Sequence, residues 1–341
     1  MRSILRPLAL LVALPLLALT ACADSDPQDT AAQPQAGSEA GAFPVSIKNK
    51  FGTTEIKEAP KRIVLVGLVE QDALLALGVT PVATTEWFGD KPGALFPWAK
   101  AKLGDAPVPE VLSDKDGIKF EKVAALRPDL IIGLYSGIKA EDYKKLTAIA
   151  PTVAQLPGAP DYGVAWQDLA RTVGQAVGKP KQADELVKSL EQRFEKVRTD
   201  HPEFKGKTAL MASPYEGYFI YGSQDPRSRL LTDFGFSLPV GLDKLIGDKF
   251  GGNISGEKIA LLDQQALVWF PGKDGTAKLK ADPLYKGLNT RKQGRDIFIE
   301  EDYNNDLYGA TTFVSVLSLP IVLDQLVPKL AAAADGNPAT T

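Results

Sequence analysis

"KPKQADELVKSLEQRFEKVRTDH" (Lys179–His201) decides how this chain is organised. Ala183, Leu186, Val187, Leu190, Phe194 and Val197 recur at spacings of three and four, which gives one apolar stripe on an otherwise charged surface. With Pro180 at its start, the stretch predicts a helix over Pro180–Asp200. At a rise of about 1.5 Å per residue it would span about 30 Å. Strand and helix signals alternate on both sides of it, so it reads as a rigid connection between two lobes.

Upstream, "FPVSIKNK" and "TTEIKEA" (residues 43–59) alternate polar and apolar as a small hairpin. "RIVLVG" is a buried strand, and "EQDALLALG" has helical spacing at Leu74, Leu75 and Leu77, closed by Gly78. "VTPVAT" is a second strand and "PGALFPWAKAKLG" an irregular helical piece. "FEKVAALRPDLIIG" is helix, turn and strand, followed by helix "KAEDYKKLTAIAP", strand "TVAQLP" and helix "WQDLARTVGQAVG". Downstream the order restarts with strands "KTALMAS" and "GYFIYG", helix "DPRSRLLTDFG", helix and strand in "GEKIALLDQQALVWF", a helical turn in "DPLYKGL" and strand "RDIFIE". A terminal helix follows, interrupted at Pro320. Alternation of this kind predicts an α/β fold with mainly parallel sheets. The expected boundaries are a first lobe over 43–178, the connecting helix over 179–202, a second lobe over 203–335 and a tail over 336–341. The halves echo each other. Glu121–Leu126 with Leu130–Ile132 can be laid on Glu257–Leu262 with Ala266–Val268, and Leu74-Leu75…Gly78 on Leu230-Leu231…Gly235, at different intervals.

The amino-terminal residues carry a separate signal. Arg2 and Arg6 precede an apolar run from Leu8 to Leu19, too short to span a membrane, and then Leu19-Thr20-Ala21-Cys22. This arrangement resembles a bacterial lipobox, so residues 1–21 are expected to be a cleaved signal and Cys22, the only cysteine, the lipid anchor. Residues 23–42 hold no large apolar side chain and read, with Cys22, as a disordered tether reaching about 25 Å. An exported protein held on the outer face of the cytoplasmic membrane is expected.

Composition narrows the function. The formal charge is −3 and no basic stripe appears, which argues against nucleic acid as a partner. One histidine, His201, sits at the end of a charged helix, and one cysteine is assigned to the lipid. Zinc, copper or manganese sites and nucleophile–histidine pairs lack their usual ligands. The turn after "RIVLVG" carries neither a glycine-rich dinucleotide motif nor a phosphate loop.

In open α/β sheets ligands bind beyond the carboxyl ends of the strands. The residues in and beside the loops there are Glu86, Trp87, Tyr135, Ser136, Tyr162 and Trp166 in the first half. In the second half they are Tyr215, Tyr218, Arg227, Trp269, Tyr303 and Tyr308. Aromatic side chains with a polar tip suit a cleft that grips a large, partly polar ligand.

"KRIVLVG…DALLALGV", "GIKFEKVAALRPDLIIGLYSG", "DYKKLTAIAPTV", "DFGFSLP" and "VLSLPIVLDQLVPKL" resemble, in order and spacing, the substrate-binding lipoproteins of ATP-driven importers for ferric siderophores, haem and cobalamin. The resemblance covers most of the body. It implies a class III periplasmic-binding-protein-like fold, two Rossmann-like lobes joined by a single long helix with the ligand between them, and a monomeric binding protein rather than an enzyme. It implies no protein cofactor, since a siderophore brings its own Fe(III). It also implies docking on an ABC importer permease through an acidic residue of each lobe. Glu110 in "PVPEVL" matches in the first lobe, and Asp243 stands in for the second, where "GFSLPVGLD" lacks the usual glutamate. A tris-catecholate complex carries about three negative charges and calls for several cationic side chains. The loops offer mainly Arg227, with Arg229 one step on, so a hydroxamate or mixed-type siderophore is favoured. Haem or cobalamin carriage by the same fold, and an exported enzyme reusing it, are the alternatives.

Overall fold

Ile63-Val64-Leu65 is a run of apolar residues with every side chain fully buried, the mark of a strand covered on both faces in a parallel sheet. It is the central strand of the first lobe. The computed structural model describes residues 37–86, 91–113, 115–247, 249–302 and 304–337. The expected signal, Cys22, the tether as far as residue 36, Trp87, Tyr303 and residues 338–341 lie outside them.

The first lobe opens with the hairpin β1 (Val45–Asn49) and β2 (Gly52–Ile56). It continues through β3 (Ile63–Leu65), α1 (Glu70–Ala76), β4 (Ala83–Thr85), α2 (Pro97–Leu103), β5 (Glu110–Leu112), α3 (Phe120–Ala125), β6 (Leu130–Ile132), α4 (Ala140–Thr147), β7 (Thr152–Val153) and α5 (Trp166–Ala176). The connecting helix is α6 (Pro180–Asp200), as its periodicity predicts. The second lobe runs through β8 (Ala209–Ser213), β9 (Tyr218–Tyr221), α7 (Pro226–Phe234), α8 (Leu242–Ile246), β10 (Gly251–Ile254), a 3-10 turn at Gly256–Leu262 and β11 (Ala266–Trp269). It ends with α9 (Gly275–Ala281), α10 (Pro283–Gly287), α11 (Asn289–Lys292), β12 (Asp296–Phe298), α12 (Asp306–Thr312) and α13 (Leu319–Asp335).

The described residues form two five-stranded sheets, ordered β5-β4-β3-β6-β7 and β10-β9-β8-β11-β12. Every pairing in the first is parallel, whereas β9 runs antiparallel to both its neighbours in the second. The first of the two sequence echoes holds in the topology, because α3–β6 and the 3-10 turn with β11 both lead into the fourth strand of their sheets. The second does not, because α1 follows the central strand of its sheet and α7 the second, which accounts for the unequal intervals.

Alternation along the strands sorts side chains into layers. Ile63 and Leu65, Phe194 of α6, Val268 and Leu326 belong to one continuous core beneath both lobes. Val64 and Ile131 face a separate cluster under α3 and α4, while Leu210, Leu267 and Trp269 face another on the far side of the second sheet. The shared core includes a ladder of rings in which Trp166 stacks on Phe194 at 6.0 Å and Phe194 on Phe234 at 5.3 Å. One helix thus carries an aromatic contact from lobe to lobe.

Three expectations change. Residues 37–42, read as tether, are docked on the body, with the Glu39 carboxylate accepting from the backbone N–H groups of Lys181 and Gln182 at the start of α6. The terminal helical region breaks at Phe313–Ser318, and Pro320 lies in the first turn of α13, where its missing N–H costs nothing. β5 and β10 are strands too short for their alternation to register in sequence.

Candidate ligand-binding cleft

In a parallel sheet the carboxyl ends of all strands lie along one edge, and the chain reverses its direction of travel between β3 and β6. Dinucleotide-binding folds place a ligand phosphate at this point, against a helix amino terminus. Here a carboxyl group of the protein itself occupies that place. Glu70, first residue of α1, is fully buried, and its carboxylate accepts from the N–H of Val69 at 3.0 Å and of Tyr135 at 2.8 Å. It lies so close to Gly67 that any Cβ there would come within 2.0 Å of it. Burial pushes the Glu70 carboxyl up to about 7, against the pull of these N–H groups. The bonds tie the loop after β3 to the loop after β6, the two walls of the crevice.

A cavity of about 180 Å³ opens along the same edge. Leu68, Thr85, Ser113, Lys119, Ser136, Asp142 and Tyr162 are among its lining residues, so polar side chains share it with apolar ones. Ser136 is buried and donates to the Gly133 carbonyl at 2.7 Å. Tyr135 is buried beside it, with the Tyr162 ring edge-on at 5.9 Å. Burial raises the Tyr135 hydroxyl, and the charges of Asp225, Arg227 and Arg229 from the second lobe also act on it. Tyr162 is less than half exposed and holds φ at 55°, a left-handed conformation costing a bulky side chain on the order of 1–3 kcal/mol. Glu86 is half-buried just beyond β4.

The second lobe packs against this edge, with Asp225, Arg227 and Arg229 close enough to act on Tyr135. Arg227 is bidentate on Asp225 at 2.8 and 2.9 Å, and its guanidinium lies 4.0 Å from the centre of the Tyr221 ring. Burial works against the Arg227 charge, but Asp225 outweighs it and holds the guanidinium protonated. Asp225 also caps α7 by accepting from the Arg227 N–H. Tyr221 meets Phe270 at 5.9 Å, and Phe270 meets Tyr308 at 6.0 Å. Arg229 crosses between the lobes, donating to the carbonyls of Gly163 and Gln224 at 2.7 Å each.

The structure therefore brings together Tyr135, Ser136, Tyr162, Arg227 and Tyr308 from the residues expected in the cleft. Tyr215 follows β8 and is exposed. Three aromatic residues are placed elsewhere. Trp166 packs in the ring ladder on α6. Tyr218 and Trp269 point to the far face of the second sheet, where Tyr218 donates to Asp282 and Trp269 meets Tyr285 edge-on at 5.5 Å. The reason is the two-residue period of a strand. Phe270, one position after Trp269, and Tyr221, three after Tyr218, carry their rings to the opposite face. Counting strand parity separates the two faces.

A second buried carboxylate joins the lobes. Asp72 in α1 accepts from Trp98 Nε1 at 2.7 Å and from Ser315 Oγ, between α12 and α13. Burial pushes the Asp72 carboxyl up to about 6, opposed by those two donors. Among the described residues no group of three His, Cys, Asp or Glu could hold a metal ion, and no helix is long and apolar enough to cross a membrane. Glu110, first residue of β5, and Asp243, in the first turn of α8, are exposed.

Known proteins share this architecture. A periplasmic solute binding protein from Mycobacterium smegmatis is 39% identical and superposes with a TM-score of 0.75, covering 85% of this chain and 98% of its own. Streptococcus pneumoniae PiaA, solved in complex with ferrichrome, is 28% identical with a TM-score of 0.73, covering 86% of this chain and 99% of its own. In sequence, Bacillus subtilis YfiY, named "probable siderophore-binding lipoprotein", is 29% identical over 265 residues, 73% of this chain and 78% of YfiY. These relatives are named as binding proteins, not enzymes. The periplasmic binding protein model matches residues 63–303, from the first parallel strand to the loop before α12, and the chain belongs to that family.

Proposed function

We propose that this chain captures a ferric siderophore of hydroxamate or mixed type in the cleft between its lobes and delivers it to an ABC importer permease. The ligand class of PiaA and the name of YfiY support a siderophore. The observation that carries the choice of type is the state of the arginines. Arg227 is neutralised by Asp225, and both carbonyl bonds of Arg229 are internal. A complex with three negative charges would have to break these interactions, whereas a neutral tris-hydroxamate needs hydroxyls, carbonyls and ring faces. Tyr135, Ser136, Tyr162, Tyr221 and Tyr308 offer that chemistry. Glu110 and Asp243 are the proposed permease contacts, Cys22 the proposed lipid attachment on the outer face of the cytoplasmic membrane, and the monomer the proposed working form.

Titration with ferrichrome, ferric enterobactin and ferric citrate, followed by tryptophan fluorescence, tests the reading. Ferrichrome is expected to quench at submicromolar concentration and the trianionic catecholate to bind more weakly. A preference for enterobactin would overturn the hydroxamate assignment, and no response to any of the three would overturn siderophore binding.

A further inference from the structure

We propose that Asp161 is a positioning residue of the cleft, holding Tyr162 over the first-lobe cavity and Gly163 against the second lobe. The inference rests on the binding reading above. Asp161 is gripped from three separate elements. Lys50, in the β1–β2 turn, donates to Oδ1 at 3.1 Å, Lys139 at the start of α4 donates to Oδ2, and Gln155 beyond β7 reaches Oδ1 at 3.3 Å. Gln155 is fully buried and is itself fixed by its bond to the Ile138 carbonyl at 3.0 Å. The Asp161 side chain is 30% exposed. Burial works to raise its carboxyl, but the bonds from Lys139 and Lys50 prevail and keep it below the usual range.

The next two residues are the ones that face the cleft. Tyr162 is held at positive φ, its N–H bonded to the Ser136 carbonyl at 3.1 Å. Its ring lies over Gly137, where a Cβ would come within 3.0 Å of it, and it lines the cavity. Gly163 offers its carbonyl to Arg229 of the second lobe. A left-handed tyrosine does not hold itself there, since the extended and right-handed regions are open to it. The neighbouring carboxylate, fixed at three points, removes that freedom. Released, Tyr162 would relax to negative φ, its ring would leave the cavity mouth, and the Gly163 carbonyl would turn away from Arg229. An ion pair exposed in part would carry little stability by itself. Its consequence here is geometric, because one short segment serves the ligand and the interlobe link together.

A double-mutant cycle on the full chain, with ferrichrome as probe, tests this. Asp161→Asn is expected to raise the Kd about 10-fold, mainly through faster release. Tyr162→Gly removes both the ring and the strain, and the double variant is expected to bind no worse than Tyr162→Gly alone. Additive losses, in which Asp161→Asn costs a further ~10-fold in the Tyr162→Gly background, would assign Asp161 a general structural role and overturn the proposal, as would an unchanged Kd in Asp161→Asn. Lys139→Gln weakens the same grip from an exposed position, and its smaller loss should likewise vanish in the Tyr162→Gly background. A ligand-free readout separates this inference from the siderophore reading. Hydrogen exchange at the Tyr162 amide should accelerate in Asp161→Asn, and unchanged protection would overturn the proposal whatever the protein binds. Failure of the wild-type chain to bind any of the three complexes would instead overturn the siderophore reading.

Discussion

The two sheets follow the same strand order, centre first, then two steps to one side, then two to the other. One is wholly parallel and the other is not, and the cause is the length of the first connection. Between β3 and β4 the chain has room for α1, whereas β8 and β9 are joined only by Pro214–Gly217. A parallel crossover needs about a dozen residues or more, so the second lobe turns back as a hairpin, with Glu216 and Gly217 at positive φ. The consequence reaches the cleft. In the first lobe parallel strands deliver successive loops to one edge, which enclose a cavity around Ser136 and Tyr162. In the second lobe β9 runs back across the sheet, and Tyr221, Phe270 and Tyr308 pack ring against ring, all three buried. A pocket made of loops in the first lobe thus adjoins a layer of packed rings in the second, and the two should respond differently to substitution.

The contrast ends where the lobes share a core, and the largest expected effect lies there. Phe194 is 3% exposed between Trp166 of the first lobe and Phe234 of the second. Phe194→Ala should cost about 3–5 kcal/mol. Because the core is continuous, urea unfolding of the variant should remain one transition for both lobes. Two separated transitions would show that the lobes are independent units that merely touch at α6.

Between the extremes lies the carboxylate that joins the first lobe's α1 and α2 to the second lobe's Ser315. The folded state raises Asp72 from 3.8 to about 6. A raised acid binds its proton more tightly when folded, so its contribution is fully present below about pH 4 and is lost as pH rises toward 6. Asp72→Asn keeps an acceptor for Trp98 and Ser315 and removes the titration. Relative to wild type, the variant should gain stability with rising pH between 4 and 7, by about 3 kcal/mol at most. Glu70, buried within the first lobe alone, would remain titratable and leave its own slope in both proteins. A pH-independent difference between the two proteins would mean that Asp72 stays charged across the range.

How much of this was legible in the chain differs between fold and site. The long helix declared itself through six apolar positions at one periodicity, and strands such as Ile63–Leu65 through unbroken burial-prone runs. β5 and β10, with three and four residues, gave no period to read. For the candidate site, the order of strands pointed to the loops that hold Tyr135, Ser136 and Tyr162, which the structure places around one cavity. It did not assign faces within a strand, and an error of one position exchanged Phe270 for Trp269. Nor could composition show that Arg227 is neutralised, since its partner Asp225 belongs to the same turn and reads equally well as a plain helix cap. Contacts distant in sequence, such as Ser315 with Asp72, are set by how the lobes pack, which no local pattern encodes.

The smallest expected effect concerns how the two lobes' helices are capped. α7 is capped locally, by Asp225 one residue before its start. α6 has no side-chain bond from its own flanking residue, and Glu39, far upstream, accepts from Lys181 at 3.0 Å and Gln182 at 3.0 Å while its N–H donates to the Gly178 carbonyl at 2.7 Å. A carboxylate there satisfies otherwise unpaired N–H groups and meets the positive end of the helix dipole. Glu39→Ala should therefore cost about 1 kcal/mol, read as a lower urea midpoint at unchanged slope. The amides of Lys181 and Gln182 should also lose protection from hydrogen exchange. Substituting Asp225 would be a poor control, because it frees Arg227 in the cleft as well as uncapping α7, whereas the cap on α6 has no part in the site. If the midpoint and the two amides are unchanged, residues 37–42 do not hold the helix, and the tether extends to residue 42 as their composition suggests.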